Sequence, residues 1–277
     1  MRIILAGTPE FSVPIFEKII QNFNVVAIVS QPDRPANRNY KLQPTPTKLL
    51  AQKYNIHLFQ PDKISEIYDE LVELKPDLLL TCAFGQYIPQ KVLDIPKYAL
   101  NIHGSLLPKY RGAAPIQYSL LNGDTQTGIS LMFMTKQMDA GDVIFQAKLD
   151  IDLKDTSDSL FVKMCDLATQ NITHWLNKIA QDDFTHTPQN PELVTLSPKL
   201  LKEDAQLDLT RPLNEIFNKI RAFSSNPGAY TFIDNKRVKI YYASLEVVKN
   251  ALKLECADGV LYATDYQFES KKRIKLS

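Results

Sequence analysis

Tyr98-Ala99-Leu100-Asn101-Ile102-His103-Gly104-Ser105-Leu106-Leu107-Pro108 begins as a strand and ends as a loop. The opening residues are apolar without alternation, as strands buried on both faces of a parallel sheet are. The end of the run then presents an amide and an imidazole two residues apart, followed by glycine, serine and proline. In an extended chain, residues i and i+2 point to the same face. Their Cα atoms lie about 6.6 Å apart, at roughly 3.3 Å per residue. Asn101 and His103 are therefore able to address one small bound group together, and Gly104 lets backbone and ligand approach closely.

Similar apolar runs occur upstream and downstream. Residues 2–6, Val25–Val29, Ile56–Phe59, Asp77–Phe84, Ile129–Met134 and Val143–Leu149 read as strands. Between them a helix begins near Pro9 or Glu10 and carries Phe11, Ile15, Phe16, Ile19 and Ile20 on its apolar side. Ile64–Leu74 has helical periodicity, Pro115–Leu121 opens a helix with proline in its first turn, and Thr156–Ile179 is a long helix capped by Thr156 or Ser157. Short strands alternating with helices predict an α/β domain with a largely parallel sheet. Ligands in such folds bind beyond the carboxyl ends of the strands. Gly7-Thr8, Ala83-Phe84-Gly85 and Asn101–Pro108 all fall there. There is no GxGxxG and no GxxxxGK[ST], which disfavours a dinucleotide or P-loop nucleotide site.

Two segments break the alternation. Residues 31–47 hold four prolines and three basic side chains, too long for an ordinary β–α connection of about 2–6 residues. Residues 181–200 are polar, contain Pro188, Pro191 and Pro198, and read as a linker. Beyond it come a helix at Leu213–Phe223 and four strands, at Ala229–Ile233, Arg237–Leu245, Ala251–Glu255 and Val260–Thr264, joined by tight turns. That texture predicts a small β-barrel. The expected organisation is a catalytic domain at 1–184 with an inserted basic loop at 31–47, a linker at 185–200, and a C-terminal barrel at 201–277.

The net charge of the 277 residues is +1, but it is unevenly spread. Residues 199–277 carry 14 Lys/Arg against 10 Asp/Glu, and residues 29–53 carry five against one. Two basic regions on an otherwise acidic chain are able to steer a polyanion. Cys82, Cys165 and Cys256 form no CxxC pair, and no Cys/His cluster has metal-ligand spacing, so reduced thiols in a cytoplasmic protein and no metal are expected. The apolar start Met1–Gly7 is too short for a signal segment, and no stretch approaches the about 20 apolar residues of a membrane span.

A group to pair with His103 is expected nearby in space. Asp139 and Asp142, in Met138-Asp139-Ala140-Gly141-Asp142 between two strands, are the candidates, and spacing does not choose between them. A serine hydrolase built on Ser105 fails on its signature, since GxSxG is absent. Ser105 then binds ligand or shapes its loop.

Asn101-Ile102-His103-Gly104-Ser105-Leu106-Leu107-Pro108-Lys109-Tyr110-Arg111-Gly112 resembles the signature of the 10-formyltetrahydrofolate-dependent formyltransferases. Within them the chain is similar to the branch that formylates initiator methionyl-tRNA. The similarity runs through Leu5–Phe11, Gln31-Pro32-Asp33-Arg34-Pro35, Arg111–Gln117, and Ile220-Arg221-Ala222-Phe223 with Asn226–Ala229. The resemblance implies a Rossmann-like formyltransferase domain with a largely parallel sheet, followed by a small OB-like β-barrel. It implies Asn101, His103 and Asp139 as the catalytic set: Asn101 and His103 stabilise the oxyanion, and Asp139 supports a charged His103. It places Ser105, Leu106, Leu107 and Pro108 on the folate-contacting loop; Phe84 and Tyr87, in Ala83–Pro89, stand either beside the pterin or as ordinary core aromatics. It implies a cytoplasmic monomer with 10-formyltetrahydrofolate as co-substrate, no metal, no membrane, and initiator methionyl-tRNA as partner. The tRNA would be met by Arg38 and Lys41 on the inserted loop and by Lys271, Lys272 and Arg273 near the end.

Three departures concern RNA binding more than chemistry. Asn37 and Asn39 flank Arg38 where the family is glycine-rich. No Trp stands between Asn226 and Pro227. The sequence ends at Ser277, shorter than the family pattern. A sister enzyme formylating a small amine, a hydrolase releasing formate, and a non-catalytic RNA- or nucleotide-binding protein are the competing readings.

Overall fold

A run of five apolar residues after Arg2 becomes β1 (Arg2–Gly7), buried from Ile3 onward. The computed structural model describes residues 1–36 and 41–276. After β1 come α1 (Ser12–Ile20), β2 (Asn24–Val29), β3 (Arg34–Ala36), β4 (Lys41–Gln43), α2 (Pro46–Tyr54) and β5 (Leu58–Phe59). A 3₁₀ turn at Ile64–Ile67 leads to α3 (Tyr68–Glu73), β6 (Leu78–Cys82), α4 (Gln90–Leu93), β7 (Tyr98–His103) and α5 (Pro115–Leu121). Then follow β8 (Gln126–Phe133), β9 (Val143–Asp150), α6 (Ser157–Ala180), α7 (Leu213–Phe223), β10 (Ala229–Ile233), β11 (Lys236–Ser244), β12 (Leu252–Cys256), β13 (Gly259–Phe268) and β14 (Ile274–Lys275).

Seven strands form one sheet in the order β5-β2-β1-β6-β7-β8-β9. β5, β2, β1, β6 and β7 are mutually parallel, and β8 runs antiparallel to β7. From β1 the chain first builds outward through β2 to β5, then returns to lay β6 and β7 on the other side. The strand order therefore reverses between β1 and β6, and such switch points open a crevice at the carboxyl ends of the strands. Gly7, Cys82 and His103 mark those ends.

Local chemistry explains several boundaries. The expected strand Asp77–Phe84 stops at Cys82, because Ala83 (φ 49°) and Gly85 (φ 75°) take left-handed conformations that turn the chain away. The expected helix Ile64–Leu74 divides into the 3₁₀ turn and α3. The 31–47 insertion contains a short antiparallel hairpin, β3 on β4. Thr45 caps α2 by accepting from the Lys48 N–H. At α6, Thr156 Oγ1 accepts from the Ser159 N–H while Ser159 Oγ accepts from the Thr156 N–H, a reciprocal cap.

The chain falls into two compact units: Met1–Arg111, Gly128–Lys148 and Val162–Thr195 form one, and Gly112–Thr127, Leu149–Phe161 and Leu196–Ser277 the other. In the second unit, α5 packs with α7. Buried Arg221 of α7 donates to the carbonyls of Asp155 (2.6 Å) and Asp152 (2.8 Å). The C-terminal strands form an antiparallel sheet in the order β10-β11-β13-β12, with β14 also on β13. β10 and β11 join through Asp234 (φ 49°) and Asn235 (φ 59°), the two-residue turn with both centres left-handed. Irregularities around Tyr242 interrupt the β11–β13 register, and such bulges sharpen a sheet's twist. The result is a curled antiparallel sheet of the kind a small barrel requires.

Candidate active site

β6 and β7 bring the first polar side chains together. Asn101 pairs with Thr81 in register, and Thr81 Oγ1 donates to Asn101 Oδ1 at 2.7 Å. With Oδ1 engaged, Asn101 presents its Nδ2 hydrogens as the donor end. Two residues on, His103 is buried, 5% exposed. Its Nε2 lies 2.8 Å from the carbonyl of Tyr110. A carbonyl oxygen only accepts, so Nε2 carries the proton of that bond. Nδ1 stands 3.6 Å from Asp139 Oδ2.

The two aspartates that spacing left equivalent are separated by the fold. Asp139 faces His103, whereas Asp142 Oδ2 lies 2.7 Å from His186 Nδ1. Asp139 sits on the β8–β9 connection with φ 51°, a conformation that Asp tolerates better than most residues. Gly141 lets the returning chain lie flush on β8, since a Cβ there would collide with the Phe133 carbonyl. Gln189 Nε2 donates to the carbonyls of Asp139 (2.9 Å) and Gly141 (2.7 Å).

The 105–108 loop is fastened by its own polar groups. Ser105 is fully buried, and its hydroxyl donates to the Lys109 carbonyl at 2.6 Å. Ser130 Oγ donates to the Ser105 carbonyl at 2.6 Å, and Gln146 Nε2 donates to the Leu107 carbonyl at 2.9 Å. Ser105 thus shapes the loop, Leu107 is buried with it, and Leu106 and Pro108 are half-buried. Phe84 packs in a core cluster with Ile4, Leu79 and Ile88, while Tyr87 is 66% exposed. The Phe84 carbonyl accepts from Thr8 Oγ1 (3.1 Å) and Gln31 Nε2 (2.9 Å), tying the β1 and β6 ends to the base of the insertion. Cys82 is no nucleophile, because complete burial pushes its thiol up to about 12.

The cationic positions differ in what already holds them. Arg38 lies outside the described residues, and Lys41 begins β4. Lys271 and Lys272 are exposed. Arg273 grips Asp265 with two hydrogen bonds, at 2.6 and 2.8 Å, and stacks over the Tyr241 ring at 3.9 Å. Its fork is engaged within its own unit. Among the described residues, no group of three or more His, Cys, Asp or Glu is placed to hold a metal, and no helix is long and apolar enough to cross a membrane.

Two residues at the site went unread in the sequence. Thr81 is the one hydroxyl in the apolar run Leu78–Cys82, a signal that was there to see. Gln189 sits in a polar stretch whose composition says only "linker".

Comparison with known proteins covers the chain from end to end. The family model described as "Formyl transferase" matches residues 1–176, and "Formyl transferase, C-terminal domain" matches residues 199–277. The chain is 55% identical to a methionyl-tRNA formyltransferase of Mycoplasmopsis pulmonis, over 100% of this chain and 96% of that one. Two solved structures share the fold. One is WlaRD, a sugar 3N-formyl transferase crystallised in the presence of dTDP and 5-N-formyl-THF (TM-score 0.73, 21% identity, 98% of this chain and 99% of that one). The other is HypX of Aquifex aeolicus in complex with tetrahydrofolic acid (TM-score 0.67, 20% identity). The match to it takes in 99% of this chain but only 45% of HypX.

Proposed function

The chain belongs to the formyl transferase family, and from that premise we infer that it moves the formyl group of 10-formyltetrahydrofolate to the α-amino group of initiator methionyl-tRNA. It is a one-carbon transferase serving translation initiation. The observation that carries this is full-length identity of 55% to a methionyl-tRNA formyltransferase, in a chain that holds His103 and Asp139 as a pair next to Asn101 at the sheet's carboxyl edge.

The folate supplies the formyl carbon; the chain supplies charge and proton control. As the amine adds to that carbon, its oxygen gains negative charge. Asn101 Nδ2, oriented by Thr81, donates to that oxygen, and a donor so placed is worth about 10²–10³ in rate. Completing the transfer requires a proton to leave the amine and one to reach the departing N10. His103 Nδ1 is the atom that holds and passes it, since Nε2 is committed to Tyr110. Asp139, facing Nδ1, supports the imidazolium by its opposite charge.

Leu106 and Pro108 offer the apolar part of the folate surface, with Tyr87 as an exposed aromatic beyond the left-handed corner at Gly85. Ser105 and Leu107, both buried, hold that loop from within. Arg38 and Lys41 on the insertion meet the acceptor end of the tRNA, and Lys271 and Lys272 meet its phosphates, interactions that weaken with salt. Such an acceptor places the work in the cytoplasm.

The test is formyl transfer from 10-formyltetrahydrofolate to charged initiator tRNA, beside a sugar-nucleotide amine and a sample without acceptor. Formylation confined to the tRNA is expected. Turnover of the small amine instead, or formate release without acceptor, overturns the tRNA assignment.

A further inference from the structure

Asp139 and His103 belong to distant stretches of chain, so something must set the 3.6 Å between them. One side chain touches the supports of both. Gln189 Nε2 donates to the Asp139 and Gly141 carbonyls, at 2.9 and 2.7 Å, and Gln189 Oε1 accepts from Arg111 Nε at 2.9 Å. Arg111 follows Tyr110, whose carbonyl takes His103 Nε2. A second bond line runs alongside: the Tyr110 N–H donates to Thr195 Oγ1 and the Arg111 N–H to the Thr195 carbonyl, both at 2.9 Å. The amide orientation follows from chemistry, because carbonyls only accept and a guanidinium only donates.

We propose that Gln189 is a positioning residue for formyl transfer: its carboxamide clamps the Asp139 turn to the Tyr110–Arg111 segment and so sets the gap between Asp139 and His103. The proposal rests on the site reading above. A carboxylate 3.6 Å from an imidazole nitrogen stands just outside hydrogen-bond reach, about 2.6–3.2 Å, so a small displacement decides whether the pair acts together. The clamp comes from the segment that composition assigns to a linker, and on the Asp139 side it holds backbone carbonyls. Asp139 Oδ2 faces the imidazole at 3.6 Å.

The experiment measures kcat, KM for charged initiator tRNA, and melting temperature for Gln189→Ala, Gln189→Glu, Asp139→Asn and the Gln189→Ala/Asp139→Asn pair. Gln189→Ala is expected to lose about 10²-fold in kcat, the loss typical of an ångström's misplacement, with KM within twofold. Gln189→Glu keeps the shape but has no N–H for two carbonyls, so it loses at least as much. Its shape also keeps the test readable if the alanine variant is less stable. In the Asp139→Asn background, Gln189→Ala costs nothing further, because Gln189 acts through Asp139. A Gln189→Glu enzyme at full rate, or an undiminished alanine loss on top of Asp139→Asn, overturns the proposal. His103→Ala and Asp139→Asn serve as parallel controls. If both turn over normally, the site reading itself falls. If both collapse while Gln189 variants run normally, only the positioning role falls.

Discussion

Thr81 Oγ1 stands 2.7 Å from Asn101 Oδ1, at paired positions on two parallel strands. A hydroxyl on one buried strand thereby decides which end of the neighbouring amide faces outward. Thr81→Val keeps the shape of the side chain and removes the donor. The amide then loses its preferred orientation, and kcat is expected to fall about tenfold or more, a fraction of a full donor's worth. Thr81→Ser restores the hydroxyl and the rate. Equal kcat in the valine and wild-type enzymes removes Thr81 from the site.

Asn101→Ala and His103→Ala remove the two groups to which the proposed mechanism assigns the oxyanion and the proton. Each is expected to cost at least about 10²-fold in kcat while the native fold is retained. Single-turnover rates with charged tRNA check this. Rates near wild type in either variant contradict its catalytic role.

Lys271→Ala with Lys272→Ala should separate from Arg273→Ala in kind. Each ammonium–phosphate pairing removed flattens the dependence of log(kcat/KM) on log salt by about 0.7–0.9. The lysine pair is expected to flatten that slope while leaving stability alone. Arg273→Ala instead leaves Asp265, 7% exposed, without its fork, and is expected to lower stability by about 1–3 kcal/mol. Urea midpoints and a salt series on the same variants check the assignment. A salt slope changed by Arg273→Ala alone reverses it.

Asp33 anchors the base of the insertion. The Gln60 amide, and then the Lys48 ammonium, hold its carboxyl below the usual carboxylate range. A lowered folded-state value stabilises the protein above the unfolded-state value, near ~3.9, and that stabilisation is lost as pH falls through the folded value. Wild type is therefore expected to out-melt Asp33→Asn at pH 7, with the difference closing toward about pH 3. A difference equally large at both pH values shows that Asp33's charge contributes nothing.

How far the sequence could be read varies from element to element. β1 and β7 were visible because they are apolar without alternation, which only a strand covered on both faces sustains. The two-residue turn at Asp234-Asn235 was visible because those residues tolerate left-handed backbone. The break of Ile64–Leu74 into a 3₁₀ turn and α3 was not visible, since periodicity counts apolar positions and does not see where hydrogen bonding shifts from one pattern to another. Arg273 read only as one of the cations that would meet the tRNA; its hold on Asp265, eight residues back on β13, was not visible, because composition records a charge and not its partner.

By itself the sequence determined the class of sheet, the strand ends at which chemistry is possible, and the pairing of Asn101 with His103. All of these follow from local periodicity, which any short window of chain carries. Only the tertiary structure decided which aspartate meets the imidazole, that Nε2 meets the Tyr110 carbonyl while Nδ1 faces Asp139, that Thr81 bonds Asn101, and that a glutamine from a linker-like stretch holds the Asp139 turn. Those interactions join residues far apart in the chain. Their partners are selected by the packing of β6, β7 and the β8–β9 connection against one another, and no local pattern records that selection.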